Sequence, residues 1–236
     1  MNDEKFCIID LGFTKCYLLE CFEGYLLIDT SYKGKYTVFL KEMEKLEIDI
    51  SKIKYIFITH HHADHAGFSA KLIKETGAKL IVNQNALVHL KEGKTGDIMK
   101  PVGTVIKLIH PFLRILHRNT KFPPVLPKKD DIIVNGDDYH VLRQIGVNGN
   151  ILYTPGHSKD SISILLDNGN AFVGDLVMNN FNSGNIKFMP FLVDNKDVVL
   201  EGWDKVIDNG AKIIYPAHGD YFTTDELILS KSKIEA

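Results

Sequence analysis

The sequence predicts an α/β fold of four layers, two sheets packed face to face with helices on the outside. Three observations lead there. Short apolar runs of strand length alternate with segments whose apolar residues recur at helical spacing. The two halves of the chain rhyme, since "TVFLKEMEKLEIDISKIKYIFITH" and "DVVLEGWDKVIDNGAKIIYPAH" each run helix, turn, apolar strand, histidine. Both histidines, His60 and His218, stand where a buried strand ends, so halves that face each other would bring them together.

The elements follow in order. "FCIID", "KCYLLE" and "YLLIDT" read as strands, with turn chemistry at Gly12 and Gly24. In "KYTVFLKEMEKL", Tyr36, Phe39, Leu40, Met43 and Leu46 share one helical face. "IKYIFIT" is a strand, "GFSAKLIKETG" a helix closed by Gly77, and "AKLIVN" a strand. Residues 98–127 break the pattern: "TVIKLIHPFLRILHRN" is apolar and basic around Pro111, and "FPPVLP" follows. This stretch reads as a kinked helical excursion over the site, a lid, with a dimer surface or a membrane contact as the other readings. "DDIIV", "HVLRQIGV" and "NILYT" read as strands, and "SISILLDNGNAFVGD" as a hairpin turned by Asn168-Gly169. "DVVLEGWDKVIDNG" is a helix closed by Gly210, and "AKIIYPAHGD" the last strand. The whole of 1–236 is read as one domain.

Composition narrows the function. A chain of 236 residues, 44% hydrophobic, can bury one generous core. A net charge of −2 gives no electrostatic footprint for nucleic acid. No apolar run approaches the ~20 residues of a membrane-crossing helix, so no stable membrane association is expected. Cys7, Cys16 and Cys21, an odd number without framework spacing, predict reduced thiols. The start "MNDEKFCIIDLG" lacks the basic and then apolar pattern of a secretory leader. The expectation is a cytoplasmic enzyme-sized protein with a small-molecule substrate, able to form a homodimer.

The chemistry lies in "IFITHHHADHAG". His60 and His62 are two apart, so on an extended backbone both rings leave one side and can grip one metal ion. Asp64 and His65 come where the chain turns and point elsewhere, toward a second ion. The missing ligands are offered by His157 after "ILYT", Asp175 after "AFVG" and His218 after "IIYPA", each at the carboxyl end of an apolar strand. The sorting is His60, His62 and His157 for one ion, and Asp64, His65 and His218 for the other, with Asp175 as the bridge. Nitrogen and oxygen donors without thiolate suit zinc first, and iron or manganese as well. Two such ions activate a water for hydrolysis. His61 points away from its neighbours, to solvent or to a supporting partner. Asp29, at a strand end, either orients a ligand histidine or caps the turn. His89, His110, His117 and His140 read as ordinary surface or packing residues, and Ser158 as a hydrogen-bond partner of its loop's backbone.

These residues resemble the signature of the metallo-β-lactamase superfamily, with its H-x-H-x-D-H segment and three downstream ligands. The match runs from Asp29 through His60, His62, Asp64, His65, His157 and Asp175 to His218. The resemblance implies an αββα sandwich with a binuclear site at its edge, in the glyoxalase II-like or lactonase-like branch. It implies a hydrolase acting on an ester, thioester, lactone, amide or phosphodiester; the expectation drawn from it is an ester, thioester or lactone bond, cleaved through a metal-bridging hydroxide, with Asp64 as proton acceptor besides its place as a metal ligand. The basic glutathione-holding region of glyoxalase II is missing after His218. The tyrosine that some lactonases carry after the bridging Asp is replaced by Asn179 and Asn180. Two other readings stand beside it: a phosphodiesterase on the same site, and a non-hydrolytic di-iron or metal-binding protein.

Overall fold

The computed structural model describes residues 5–96, 99–102, 107, 121–180 and 186–235. In chain order the elements are β1 (Phe6–Asp10), β2 (Lys15–Cys21), β3 (Gly24–Ile28), α1 (Tyr36–Lys45), β4 (Ile53–Ile58), α2 (Ala63–Ala66), α3 (Ser69–Thr76) and β5 (Lys79–Asn83). Then come α4 (Leu87–Glu92), β6 (Lys100–Pro101), β7 (Ile132–Val134), α5 (Val141–Gln144), β8 (Gly149–Tyr153), β9 (Ile162–Leu166) and β10 (Asn170–Gly174). The last are β11 (Leu192–Val193), α6 (Lys196–Asp208), β12 (Ile213–Pro216), β13 (Phe222–Thr223) and α7 (Thr224–Glu235).

Short turns join β1, β2 and β3 into an antiparallel meander. From β3 onward helices intervene, and a crossover through a helix makes strands parallel: β3, β4, β5 and β7 run the same way. The first sheet is therefore ordered β1-β2-β3-β4-β5-β7. The second is ordered β13-β12-β10-β9-β8, with β9 and β10 a hairpin and β12 parallel to β10 across α6. The hairpin turns at Asn168-Gly169, where Gly169 takes φ +95° and its N–H bonds the Leu166 carbonyl.

Adjacent residues on these strands point to opposite faces, and both faces are buried, which is why the strands read as unbroken apolar runs. Leu18, Leu27, Ile56 and Leu80 face Phe39, Met43, Phe68 and Leu72 of the first helical layer. Their neighbours Leu19, Leu26, Phe57 and Ile81 face inward and meet Ile151, Ile164, Phe172 and Tyr215 of the second sheet. On the far side Leu152, Leu165, Val173 and Ile214 cover Val199, Trp203, Val206 and Leu227. The order is helix, sheet, sheet, helix, the four-layer sandwich expected.

Three details differ from the sequence reading. "HVLRQIGV" is not a strand but holds α5, with Gln144 N–H bonded to the His140 carbonyl. Asp138 accepts from the N–H groups of His140 and Val141, which starts the turn, and Gly146 at φ +91° ends it. Leu142 and Ile145, three apart, are buried, a helical spacing in what looked like a strand run. Helices α4 and α7 were not anticipated. Of the supposed lid at 98–127, residues 98, 103–106 and 108–120 lie outside the described residues. Its described flanks pack down: β6 pairs with β11, and Phe122 and Val125 are buried in the outer core. No helix among the described residues is long and apolar enough to cross a membrane.

Candidate metal centre

The carboxyl ends of β3, β4, β8, β10 and β12 meet at one edge of the sandwich, the place where open parallel sheets leave a crevice. β4 ends at Ile58, the chain bends through Thr59, His60 and His61, His62 is extended (φ −64°, ψ 153°), and α2 then begins. This puts His60 and His62 before the helix and Asp64 and His65 within it. His157 lies in the loop after β8, Asp175 directly follows β10, and His218 lies two residues beyond β12. Gly174 makes the convergence possible. A Cβ there would sit 2.6 Å from Thr59 Oγ1, so only glycine lets the two sheets close at this point.

The structure brings all seven sequence-derived donors together. His60, His62 and His157 form one group and Asp64, His65 and His218 another, with donor atoms in each group within 4.8 Å of one another. His62 Nδ1 lies 3.0 Å from His60 Nε2 and 3.1 Å from His157 Nε2. His218 Nε2 lies 3.3 Å from Asp64 Oδ2. Asp175 stands between, with Oδ2 at 3.3 Å from His157 Nε2 and Oδ1 at 3.3 Å from His65 Nε2 and 3.2 Å from His218 Nε2.

The opposite ring nitrogens are fixed by partners that accept protons. His65 Nδ1 donates to Asp29 Oδ2 at 2.7 Å, His157 Nδ1 to the Leu192 carbonyl at 2.9 Å, and His218 Nδ1 to the Phe13 carbonyl at 2.7 Å. Asp29 also accepts from Thr59 N–H and Thr59 Oγ1, both at 2.8 Å, so it orients a histidine and ties down the β4 end at once. The inward atoms are left over: His65 Nε2, His218 Nε2 and Asp175 Oδ1 are buried and take no hydrogen bond among the described residues. Buried polar atoms are nearly always satisfied. Left-over imidazole nitrogens and a carboxylate oxygen aimed at one point, with their far sides tied, fit a divalent metal ion.

The electrostatics divide the centre. Burial first, then the neighbouring imidazoles, push His60 well below the ordinary histidine range. Burial likewise takes His157 down to about 4. At His218 burial acts downward too, but Asp175 and Asp64 outweigh it and hold the ring up at about 10. Asp64 and Asp175 are driven the opposite way: burial would raise them, and the histidines facing them bring both below the usual carboxylate range.

His61 does not reach solvent. It is buried, its N–H and Nδ1 bond the two oxygens of Asp160 at 2.8 and 2.9 Å, and its ring stacks on His89 at 4.0 Å. Ser158 Oγ donates to Asp160 as well, so its partner is a side chain rather than the loop backbone. His61, Asn85, His89, Tyr153, Lys159 and Asp160 line a cavity of about 290 Å³ beside the metal centre. The sequence reading missed Asp160 and Tyr32. Tyr32 follows a loop in which Asp29 and Ser31 both adopt positive φ (61° and 54°), and its hydroxyl is in hydrogen-bonding contact with Asp64. Asn179, weighed as a nearby polar group, spends its amide on the Asp220 carbonyl.

Comparison with known proteins adds a family. The profile of the metallo-beta-lactamase superfamily matches residues 9–218. A metallo-beta-lactamase fold-containing protein of Sulfurisphaera tokodaii is 28% identical over 174 residues, 72% of this chain and 62% of that protein. A beta-lactamase-like protein 2 homolog of Drosophila melanogaster is 25% identical over 209 residues, 88% of this chain and 59% of that protein. The chain thus spans less than two thirds of the length of these curated relatives. Among solved structures, an archaeal metallo-beta-lactamase superfamily protein from Sulfolobus tokodaii superposes with a TM-score of 0.68 at 20% identity, over 99% of this chain and 87% of that one.

Proposed function

Because the chain belongs to the metallo-beta-lactamase superfamily, whose members are mostly metal-dependent hydrolases, we propose that it is a binuclear metal-dependent hydrolase of a small-molecule ester, thioester or lactone. The observation that carries the reading is Asp175, whose Oδ2 faces His157 while its Oδ1 faces His65 and His218. A carboxylate divided in this way between two donor groups is what a bridging ligand requires. Two divalent ions, when bound, supply an activated water and polarise the attacked oxygen. Zinc suits the imidazoles and carboxylates of the set, and iron or manganese suit them too.

The rest of the work falls to the chain's own residues. Asp29 and the carbonyls of Leu192 and Phe13 hold His65, His157 and His218 in orientation, so the donors need no rearrangement. Asp64 has 17% of its side chain exposed, against 4% or less for His65, His218, His157 and Asp175, so it stands at the mouth. It takes a proton from the attacking water and passes it to the departing atom. The bond formed is from the water oxygen to the carbonyl carbon, and the bond broken is from that carbon to the leaving group. The reading includes a single domain and a cytoplasmic location, which fits the three free cysteines. It also allows a homodimer.

The test is metal content per chain after purification without added metal, paired with a panel of chromogenic esters, thioesters and lactones. A phosphodiester belongs in the panel as the alternative class, since the donor geometry does not discriminate a carbonyl from a phosphoryl centre. About two zinc ions per chain with metal-dependent turnover is the expected result. Two irons without turnover would replace the reading with a redox or binding role, and a metal-free protein would end it.

A further inference from the structure

Tyr32 is the feature that the metal-centre reading leaves unused. The loop from Asp29 to Lys33 is held against the α2 segment by hydrogen bonds from Thr30 N–H and Thr30 Oγ1 to the His65 carbonyl (2.7 and 2.9 Å), and from Gly67 N–H to the Ser31 carbonyl (2.9 Å). The approach is so close that a Cβ on Gly67 would meet Ala63 O at 2.4 Å and Lys33 N and Ser31 O at 2.5 Å. Two non-glycine residues, Asp29 and Ser31, accept positive φ to make that bend, a conformation found where the surroundings over-determine it. The product of this bend is one side chain. Tyr32 remains 37% exposed, in contact with Asp64 at the mouth of the centre, and its ring stacks on Phe13, which in turn covers His218 at 4.3 Å.

Resting on the hydrolase reading above, we infer that Tyr32 is a substrate-contacting residue whose hydroxyl donates a hydrogen bond to the departing oxygen of an ester or lactone. The oxygen that receives its proton from Asp64 must come within reach of Asp64, and Tyr32 is the neutral donor beside it. A phenol carries one O–H to donate, and on this reading it goes to the departing oxygen when that oxygen arrives beside Asp64. The departing oxygen leaves as the alcohol, with its proton from the attacking water by way of Asp64. A sulfur leaving atom is a weak acceptor, so the arrangement favours oxygen esters and lactones of poorly acidic alcohols over thioesters. It supplies the leaving-group assistance that the sequence did not reveal.

The experiment compares wild type with Tyr32→Phe on a matched ester and thioester pair and on aryl and alkyl esters of graded leaving-group acidity. A calorimetric titration of both proteins with phenylphosphonate, a tetrahedral oxyanion, accompanies it, with metal content measured in parallel. One net hydrogen bond corresponds to roughly 2- to 10-fold. Expected for Tyr32→Phe are unchanged metal content, a 2- to 10-fold loss on alkyl esters that shrinks toward acidic phenol leaving groups, no loss on the thioester, and a 2- to 10-fold weaker phosphonate affinity. Equal losses on ester and thioester, or lost metal, would reduce Tyr32 to a support of Asp64 and overturn the inference while the hydrolase reading stands. Metal-loaded wild type that turns over nothing in the panel would remove the hydrolase reading, and this inference with it.

Discussion

Asp29 Oδ2 lies 2.7 Å from His65 Nδ1, and the opposite nitrogen of the same ring lies 3.3 Å from Asp175 Oδ1. A residue that the backbone forces into positive φ thus decides which way a donor of the metal centre points.

Asp29→Asn tests that relationship. Asparagine tolerates φ +61° about as well as aspartate, so the bend is retained, but one of the two accepting oxygens becomes an NH2 and the charge is lost. Metal affinity, read by competition with a chromophoric chelator, should fall by roughly 10- to 100-fold, the usual cost of losing a partner behind a ligand. Unchanged affinity would mean that Asp29 only caps its turn.

Asp175→Asn addresses the bridge. The amide presents one oxygen instead of two, so it cannot face His157 on one side and His65 with His218 on the other with equal donors. Metal analysis should show the stoichiometry falling from about two to about one per chain. Retention of both ions would remove Asp175 from the ligand set.

Gly67→Ala should cost at least about 2 kcal/mol in a urea titration, because its Cβ would meet backbone on three sides. Gly77 is the control. Unlike Gly67 (φ −63°) it takes positive φ (+72°), which asparagine tolerates, and it has nothing within 4 Å of a new Cβ, so Gly77→Asn should cost much less. Similar losses at both positions would show that the loop yields to admit the methyl.

Asp160, which is not itself one of the donors, gives a pH signature through its bonds to His61 and Ser158. Burial would raise its carboxyl, but the bond from His61 and that from Ser158 bring it to about 2 from an ordinary 3.8. A depressed folded pKa contributes stability that is present above about 4 and is lost as the pH falls toward 2. That is about 2 kcal/mol for a group so deeply buried. The gap in stability between wild type and Asp160→Asn should therefore close over that range, in denaturant titrations at stepped pH. A gap independent of pH would rule out an ionised Asp160 carboxylate as the source of that stability.

The donors were legible in the sequence because each follows an apolar run, and a buried strand has one carboxyl end to deliver a side chain from. His60, His157, Asp175 and His218 needed no knowledge of the tertiary fold. The partnership of His61 with Asp160 did, since the two are 99 residues apart and nothing local couples them. Tyr32 was hidden for a different reason: its position depends on a bend at Asp29 and Ser31 that neither residue type advertises. Helix α7 escaped because its buried stripe is sparse, with Leu227 inside while Ile228 and Leu229 face out.

The division of donors between the two sheets has a consequence for the chain as a polymer. Each group takes two of its members from before β7 and one from after it: His60 and His62 with His157, Asp64 and His65 with His218. Neither portion alone owns a complete set. A protein cut between β7 and β8 would have fragments whose reassociation is driven in part by the ion itself, growing stronger with the logarithm of its free concentration. The centre is then a clasp as much as a reagent, and withdrawing the ion loosens the seam between the sheets.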